Sequence, residues 1–568
     1  MSMHRVIKAH LDSFVQNFGL DGMPESTQFE QFSNYAVIAS RTASSYDLDD
    51  VTTGEGDDGT DGIAVIVDED IVISDEDAQS IFSKPKRNRD VEVLFIQAKR
   101  SDSFDLGEFL KFKESILKFV DAENYTVNDD VQSSARKVFD VAMANVPKIR
   151  FGKPNLTARY VATGVYRQPE ALENAKRQFE NQLRELGLFT SIDIQFIGRD
   201  ELTSLWVATY SGATAQLDMF SNAPMPTIAG IEEAYLAVVK AREFVDKLLL
   251  NDDGNLRTQV FEENVRAFLG SENPVNQSIA NTLNSGVSAS RFPVLNNGIT
   301  IVSPNVIVQG TNLHLENYQI VNGCQTSNIL FENKAALDDS IMVTLKVVET
   351  INEDVFSELV RATNSQTKVD ETQFLSLQPI VKKIEQYFNT YEGMEGRLYF
   401  ERRDRQYIGK DIPAIRIFNL HLAAKCVAAM FYQRPDLSFK YPKRMYDELA
   451  PVMFSDDIKE IVFYAACIVL YRLHLLVSNS ILPQNMRRFK WHILVLVRAI
   501  VAGKNIPRLN SRQIEPYCQR LVDAFCQHGE LAIDSLRKAV EIVQSMGDVT
   551  SDRLKRQAII EEMLAKIC

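Results

Sequence analysis

The sequence predicts a mixed chain in three parts: an α/β N-terminal domain (1–205), an α+β central module (206–415) and an all-α C-terminal region (416–568). Three observations predict it. Two short apolar runs, GTDGIAVIV and VEVLFIQAKRS, flank a hydrophilic connection between Gly59 and Arg100, the pattern of adjacent buried strands. From Gln259 the text becomes dense with polar, turn-forming residues. From Arg416 onward the apolar residues recur almost wholly at helical spacing.

In chain order, Val6, Leu11, Phe14, Val15 and Phe18 fall at roughly helical spacing, and a break at Gly19–Pro24 precedes a second helix bearing Glu30. Val51–Gly62 is an acidic, turn-rich approach to the first strand, and Asp61 stands at that strand's start. Residues alternate along Val91–Lys99, so Gln97 and Lys99 share one face of the sheet, and Asp61 can reach that face from the neighbouring strand. A carboxylate, an amide oxygen and an ammonium on one sheet edge suit a hard divalent ion, with the lysine stabilising charge on a phosphate. The same residues equally describe a solvated Asp in a turn and a Lys snorkelling from a strand end. Asp105–Val120 then reads as an amphipathic helix, Leu156–Tyr166 as a strand, Pro169–Leu188 as a charged helix and Ser191–Ile197 as a strand, completing an α/β sheet.

Length and composition bound the class. A chain of 568 residues has room for roughly two to four domains. Hydrophobic content of 45% and charged content of 24% are ordinary for a globular protein. The longest apolar runs, Ile461–Tyr471 and Trp491–Ala502, are short and broken up by Arg472, His474 and Arg498, so buried helices are expected and no membrane. MSMHRVIKAHLDSF lacks the apolar core of a secretion signal. Cys324, Cys426, Cys467, Cys518, Cys526 and Cys568 form no CxxC pair, so the reducing cytoplasm is the expected location. The net charge of −14 is unevenly spread, since Asp47–Asp77 holds thirteen acids and no Lys or Arg. Met486–Arg512 is the converse, with seven Lys or Arg (Arg487, Arg488, Lys490, Arg498, Lys504, Arg508 and Arg512) and no acid. Such a run is either a solvated helix face or a phosphate-contacting surface. The loop KPKRNR before Asp90 carries the same two readings.

In the central module, Asn296-Asn297-Gly298 turns the chain into the strand GITIV. A second strand ends at Val321, Asn322-Gly323 turns, and Gln325 and Thr326 fall near the N-terminus of a helix, where free N–H groups attract anions. Thr326 and Thr363 also suit plain helix caps, and the amides of this stretch also suit a buried hydrogen-bond network. Arg402, Arg403, Arg405 and Tyr407 follow the aromatic strand LYFE; arginine interleaved with tyrosine suits phosphate and base stacking, while Glu401 and Asp404 offer ordinary ion-pair partners. His421, His474, His492 and His528 are isolated and read as structural. No P-loop, zinc-ligand cluster, G-x-S-x-G elbow or repeat of 20–50 residues is present, which sets aside P-loop ATPases, zinc and serine hydrolases and solenoids.

Two resemblances add to this reading. D…QxK on paired strands resembles the PD-(D/E)xK nucleases in their Mrr-like variant, which has glutamine in place of the usual acid. That resemblance implies a restriction-endonuclease-like domain in which Glu30, Asp61 and Gln97 hold magnesium or manganese and Lys99 orients or activates the attacking water. The succession VFEENVRAFLG, SIANTL, RFPVLNNGITIV, YQIVNGCQTSNIL, SELVRATNSQTKVDETQFLSLQP and RLYFERRDRQY, over roughly 255–450, resembles the AIPR family, named for abortive-infection phage resistance. NGCQT is similar to the DGQQR phrase of ParB-like nucleotide-handling domains, without its Arg. On that likeness Asn322, Gly323, Gln325, Thr326 and Asn364 surround a nucleotide or nucleic-acid phosphate; Asn297, Arg402 and Arg403 are further candidates for nucleotide or nucleic-acid binding. The resemblances imply a cytoplasmic phage-defence protein, with a magnesium-dependent endonuclease domain acting on DNA under an AIPR regulator. The expected partners are DNA, a nucleotide or phage-derived trigger and a second copy of the chain. The competing expectation is a catalytically inactive nucleic-acid- or nucleotide-binding sensor.

Overall fold

The computed structural model describes residues 3–567 apart from 43–45, 55–58, 69, 87, 122–124, 126–128, 211, 251–255, 262–273, 286–288, 365–374, 376–377, 394, 403–405, 408–409, 411, 528, 548–550 and 555. The chain forms two units: Met1–Trp206 together with Leu375–Cys568, and Val207–Phe374. Residues 375–415, assigned to the central module by sequence, therefore lie in the first unit.

The first unit begins with the helices α1 (Arg5–Phe18) and α2 (Glu25–Ile38), separated where Gly19 takes a left-handed φ of 63° and closes the first. A sheet follows, built from β1 (Gly62–Val67), β2 (Asp70–Ile71), β3 (Val91–Lys99), β4 (Asn155–Ala162) and β5 (Ile192–Ile197) in the order β2-β1-β3-β4-β5. β1 runs antiparallel to β2 and β3, while β3, β4 and β5 are parallel. Alternation fixes what each face buries. Val91, Val93 and Phe95 pack with α4 (Leu106–Val120), α5 (Asp130–Ala144) and α6 (Glu170–Leu186), through Phe109, Phe112, Phe139 and Phe179. Leu94, Ile96 and Ala98 face the other way, against Phe14, Phe29, Phe32 and Trp206 of α1, α2 and α7 (Arg199–Tyr210). A short helix, α3 (Asp75–Ser83), lies between β2 and β3 in sequence and is capped by the Ser74 hydroxyl.

The second unit is a seven-stranded sheet in the order β11-β8-β12-β7-β6-β10-β9. Its strands are β6 (Thr214–Pro224), β7 (Glu233–Lys240), β8 (Ile299–Ser303), β9 (Asn305–Gln309), β10 (Asn312–Glu316), β11 (Gln319–Asn322) and β12 (Met342–Glu349). All neighbours are antiparallel except β8 and β12. One face buries Leu217, Val239, Ile301 and Leu345 with Phe244, Leu248, Ile329 and Leu330. α8 (Pro274–Leu283) and α9 (Cys324–Glu332) belong to that side, and α10 (Glu353–Asn364) covers part of the other with Phe356 and Val360 on Val302, Val321 and Val348.

The rest of the first unit is helical, apart from the two-stranded pair β13 (Tyr399–Glu401) and β14 (Ile417–Asn419). Its main helices are α11 (Pro379–Asn389), α12 (Leu420–Met430), α13 (Pro442–Met453), α14 (Ile461–Ser478), α15 (Lys490–Ala502), α16 (Ile514–Cys526) and α17 (Glu530–Gln544). α14 is the longest apolar run extended to 18 residues, and it is the one helix among the described residues long and apolar enough to cross a membrane. It is instead the centre of the bundle, with 89% of its length buried among α11, α12, α15 and α16. Arg472, which interrupts the run, is buried and donates to the Phe525 carbonyl at 2.8 Å and to those of Glu395 and Cys526 at 2.9 Å.

The basic run fits neither reading given above for its buried members. Lys490 is buried and paired with Asp47 and, at 3.6 Å, Asp49. Arg498 is fully buried and donates to the Gly503 carbonyl at 3.0 Å and the Tyr517 hydroxyl at 2.8 Å, and Arg487 donates to the Gly19 carbonyl at 3.2 Å. Acidic and basic stretches more than 400 residues apart thus neutralise one another within one unit. The loop before Asp90 behaves similarly, since Asp68 takes Lys86 at 3.0 Å and Arg89 at 2.5 Å.

Candidate functional site

The site lies where β1 begins and β3 ends. Gly62 is opposite Ile96, which puts Asp61 level with Gln97, and Gln97 is in turn level with Tyr160 on β4. Asp61, Gln97 and Tyr160 thus form a row across three adjacent strands, and Lys99 stands two residues further along the Gln97 face. Asp61 Oδ2 accepts from Gln97 Nε2 at 2.6 Å and from the Ala98 N–H at 2.7 Å. Gln97 is 1% exposed, and its Oε1 has no hydrogen-bond partner among the described residues. Buried polar atoms are ordinarily satisfied, so this oxygen is open to a water or a cation.

The loop that presents Asp61 is tied on every side. Thr53 Oγ1 donates to the Thr60 carbonyl at 2.5 Å, and the Thr60 and Ser115 hydroxyls meet at 2.8 Å. Asn34 on α2 donates to the Asp61 carbonyl at 2.9 Å and to Thr52 Oγ1 at 3.1 Å. A Cβ at Gly62 would sit 2.3 Å from Asn34 Oδ1, so any larger residue there would displace the side chain that holds the Asp61 carbonyl.

Lys99 is held by Glu108, whose Oε2 lies 3.0 Å from the ammonium, while Glu108 Oε1 takes Lys111 at 2.6 Å. Those two ammonium groups, Lys111 first, hold the Glu108 carboxyl below its ordinary value. Burial, with the charges of Glu108, Asp105 and Asp61 nearby, pushes the Tyr160 phenol up, so this hydroxyl stays neutral. Glu30 comes from the helix on the opposite face. Glu25 of that helix reaches Arg100 at 3.2 Å and Asn34 reaches Asp61, so half-buried Glu30, between them on α2, is at the same end of the sheet.

A hard divalent ion takes oxygen donors, and magnesium keeps several waters while using one or two protein groups and substrate phosphate. Among the described residues no three His, Cys, Asp or Glu side chains gather into a metal-holding group. The Asp61 carboxylate and the orphaned Gln97 oxygen are a donor pair that fits such a sparse site.

The second set of expected residues divides. Asn322, Gly323, Gln325 and Thr326 lie within residues 322–326 at the turn into α9, where Gly323 has φ 99°. Asn276 donates to Gln325 Oε1 at 2.8 Å, and Asn296 and Thr326 exchange contacts at 3.1 and 3.3 Å. These amides therefore bond to one another across α8, α9 and the 296–298 turn, the arrangement of a fold-fixing network. Asn297 is exposed in that turn. Asn364 ends α10, and its side chain, like Arg403, lies outside the described residues. Arg402 is in the first unit, 7% exposed and paired with Glu385 at 3.1 Å.

Sequence reasoning missed Glu108, Asn34 and Tyr160. Glu108 had a signal: Asp105 caps α4 by accepting the Glu108 N–H at 2.9 Å, the D-x-x-E pattern of a helix start placed just after Lys99. Tyr160 and Asn34 act through strand register and helix packing, which leave no local pattern.

The fold and site define an α/β protein with a carboxylate–amide–lysine row at a sheet end, joined to a helical bundle and a second, sheet-based unit. Residues 261–539 match the family model described as AIPR protein, which bears out the AIPR part of the sequence reading. The match runs past 450 into the C-terminal helices and covers just under half of the chain. No curated protein and no solved structure matches the chain.

Proposed function

We propose that the chain is a phage-defence protein whose N-terminal sheet carries a magnesium-dependent site for hydrolysing DNA, regulated by the segment resembling AIPR proteins. The defence role follows from that family match. The nuclease reading is carried by one observation, the 2.6 Å contact of Asp61 with Gln97 on the face that also bears Lys99. Asp61 and the Gln97 carbonyl oxygen would hold the metal, with Glu30 as the further carboxylate. When bound, a divalent ion supplies Lewis-acid stabilisation and a more acidic water. Lys99 presents its ammonium to the phosphate, stabilising the charge that builds as water oxygen bonds to phosphorus and the bridging P–O bond breaks. Glu108 holds that ammonium against α4 until a phosphate competes for it. Part of the acidic stretch 47–77 is neutralised internally, since Asp47, Asp49 and Asp68 pair with Lys490, Lys86 and Arg89.

The test is cleavage of plasmid DNA with magnesium, manganese or EDTA. Cleavage is expected only with metal, and Asp61→Asn or Lys99→Met should reduce it at least ~100-fold. Cleavage that survives EDTA or both substitutions would sink the assignment. DNA bound but never cut, under any metal, would favour the inactive sensor.

A further inference from the structure

The Asp61 loop is anchored from an unexpected quarter. Lys490 opens α15, inside the segment that matches the AIPR family, and meets Asp47 and Asp49. Asp47 also accepts the Asp49 N–H at 3.2 Å, which caps a single 3-10 turn at Leu48–Asp50. That turn leads directly into 51–53, which pair with the start of β1. The Ile63 N–H donates to the Val51 carbonyl at 2.9 Å, the Thr53 N–H to the Asp61 carbonyl at 3.2 Å, and Thr52 bridges Gly62. One continuous path therefore runs from the Lys490 ammonium through the turn to the backbone of Asp61. The pairing is strong by its surroundings. Burial would lower the Lys490 ammonium, yet Asp47 and Asp49 raise it above its ordinary value. Burial would likewise raise the Asp47 carboxyl, yet Lys490, with Lys425 further off, holds it well below.

We propose that Lys490 is a positioning residue for the Asp61 loop: by gripping Asp47 and Asp49 it fixes residues 47–53, and through them the carboxylate at the end of the sheet. This gives the AIPR-matching segment a physical handle on the site. What the loop serves rests on the nuclease reading, whereas the mechanical coupling does not.

The experiment uses the full chain with Lys490→Met and with Asp47→Asn/Lys490→Met, the second removing both members of the buried Asp47–Lys490 pair together. Hydrogen exchange is followed in peptides spanning 47–62, against β3 and β4 as reference, and Mn²⁺ affinity is measured by calorimetry. Both variants should exchange at least ~10-fold faster at 47–62 with β3 and β4 unchanged, and bind Mn²⁺ about 10-fold more weakly, as loss of an outer support for a metal ligand does. Wild-type protection of 47–62 in the double variant would overturn the proposal, as would loosening spread equally over β3 and β4. A wild-type chain that binds no Mn²⁺ would end the metal reading of Asp61, while the exchange data still decide the coupling.

Discussion

Gln97 is the residue on which the site turns, because it offers nitrogen to Asp61 and keeps an oxygen that has no partner among the described residues. Gln97→Glu would set a second carboxylate against the first at 2.6 Å, where like charges cannot both ionise cheaply. In EDTA the variant should lose about 2 kcal/mol, and Mn²⁺ should restore or exceed wild-type stability. Thermal melts with and without metal measure this. A variant as stable as wild type in EDTA, with no gain from Mn²⁺, would count against a cation at this place. Asp61, Gln97 and Lys99 were legible in the sequence because strand alternation is a period of two and their strands are successive apolar runs that pair directly despite β2 and α3 between them. Lys490 and Asp47 were not, since an ion pair across 443 residues imposes no pattern on either stretch.

Among the elements, α14 shows how a buried charge can serve the backbone instead of a ligand. Arg472 occupies the carbonyls of Phe525 and Cys526, which end α16, and that of Glu395. Helix ends buried without partners are costly, so Arg472→Leu should destabilise the bundle by about 3 kcal/mol despite leaving α14 wholly apolar. The two tryptophans make the measurement direct, because Trp491 sits in α15 and Trp206 in α7. A urea titration read by fluorescence should show an earlier transition than wild type. An unchanged midpoint would mean those carbonyls find other donors. Helical period made this region readable in outline; the aromatic strand LYFE is β13, while its partner β14 escaped because three residues carry too little alternation. α3 escaped for a different reason: its sequence, DEDAQSIFS, reads as part of the acidic loop until Ser74 is seen to cap it.

At the scale of the whole molecule, stability should depend on pH through imidazoles kept neutral. Burial, reinforced by Lys425, lowers His421 to about 3; burial, with Lys490 and Arg487, lowers His474 to about 3; burial lowers His492 to about 4. The unfolded chain takes these protons near 6.5, so below that pH it binds more protons than the folded chain and stability falls, by roughly 1.4 kcal/mol per imidazole per pH unit. Asp77 acts oppositely. Burial raises it to about 6, so between 6 and 3.8 the folded chain takes its proton first and gains stability. Burial also raises Glu76, Asp90 and Glu349, which act in the same sense as Asp77. All three imidazoles take protons in the unfolded chain within the window from about pH 7.5 to 5.5 and leave a net loss, which urea titrations at those two values and constant ionic strength should show. Equal stability at the two values would refute the neutral imidazoles. The joining of 1–206 with 375–568 in one unit also sets a schedule. Translation makes Asp47 long before Lys490, and at synthesis rates of about 5–20 residues per second the acid waits roughly 20–90 seconds for its partner. Throughout that interval Asp47 has no Lys490 to grip it, and a message cut short before codon 490 never supplies one.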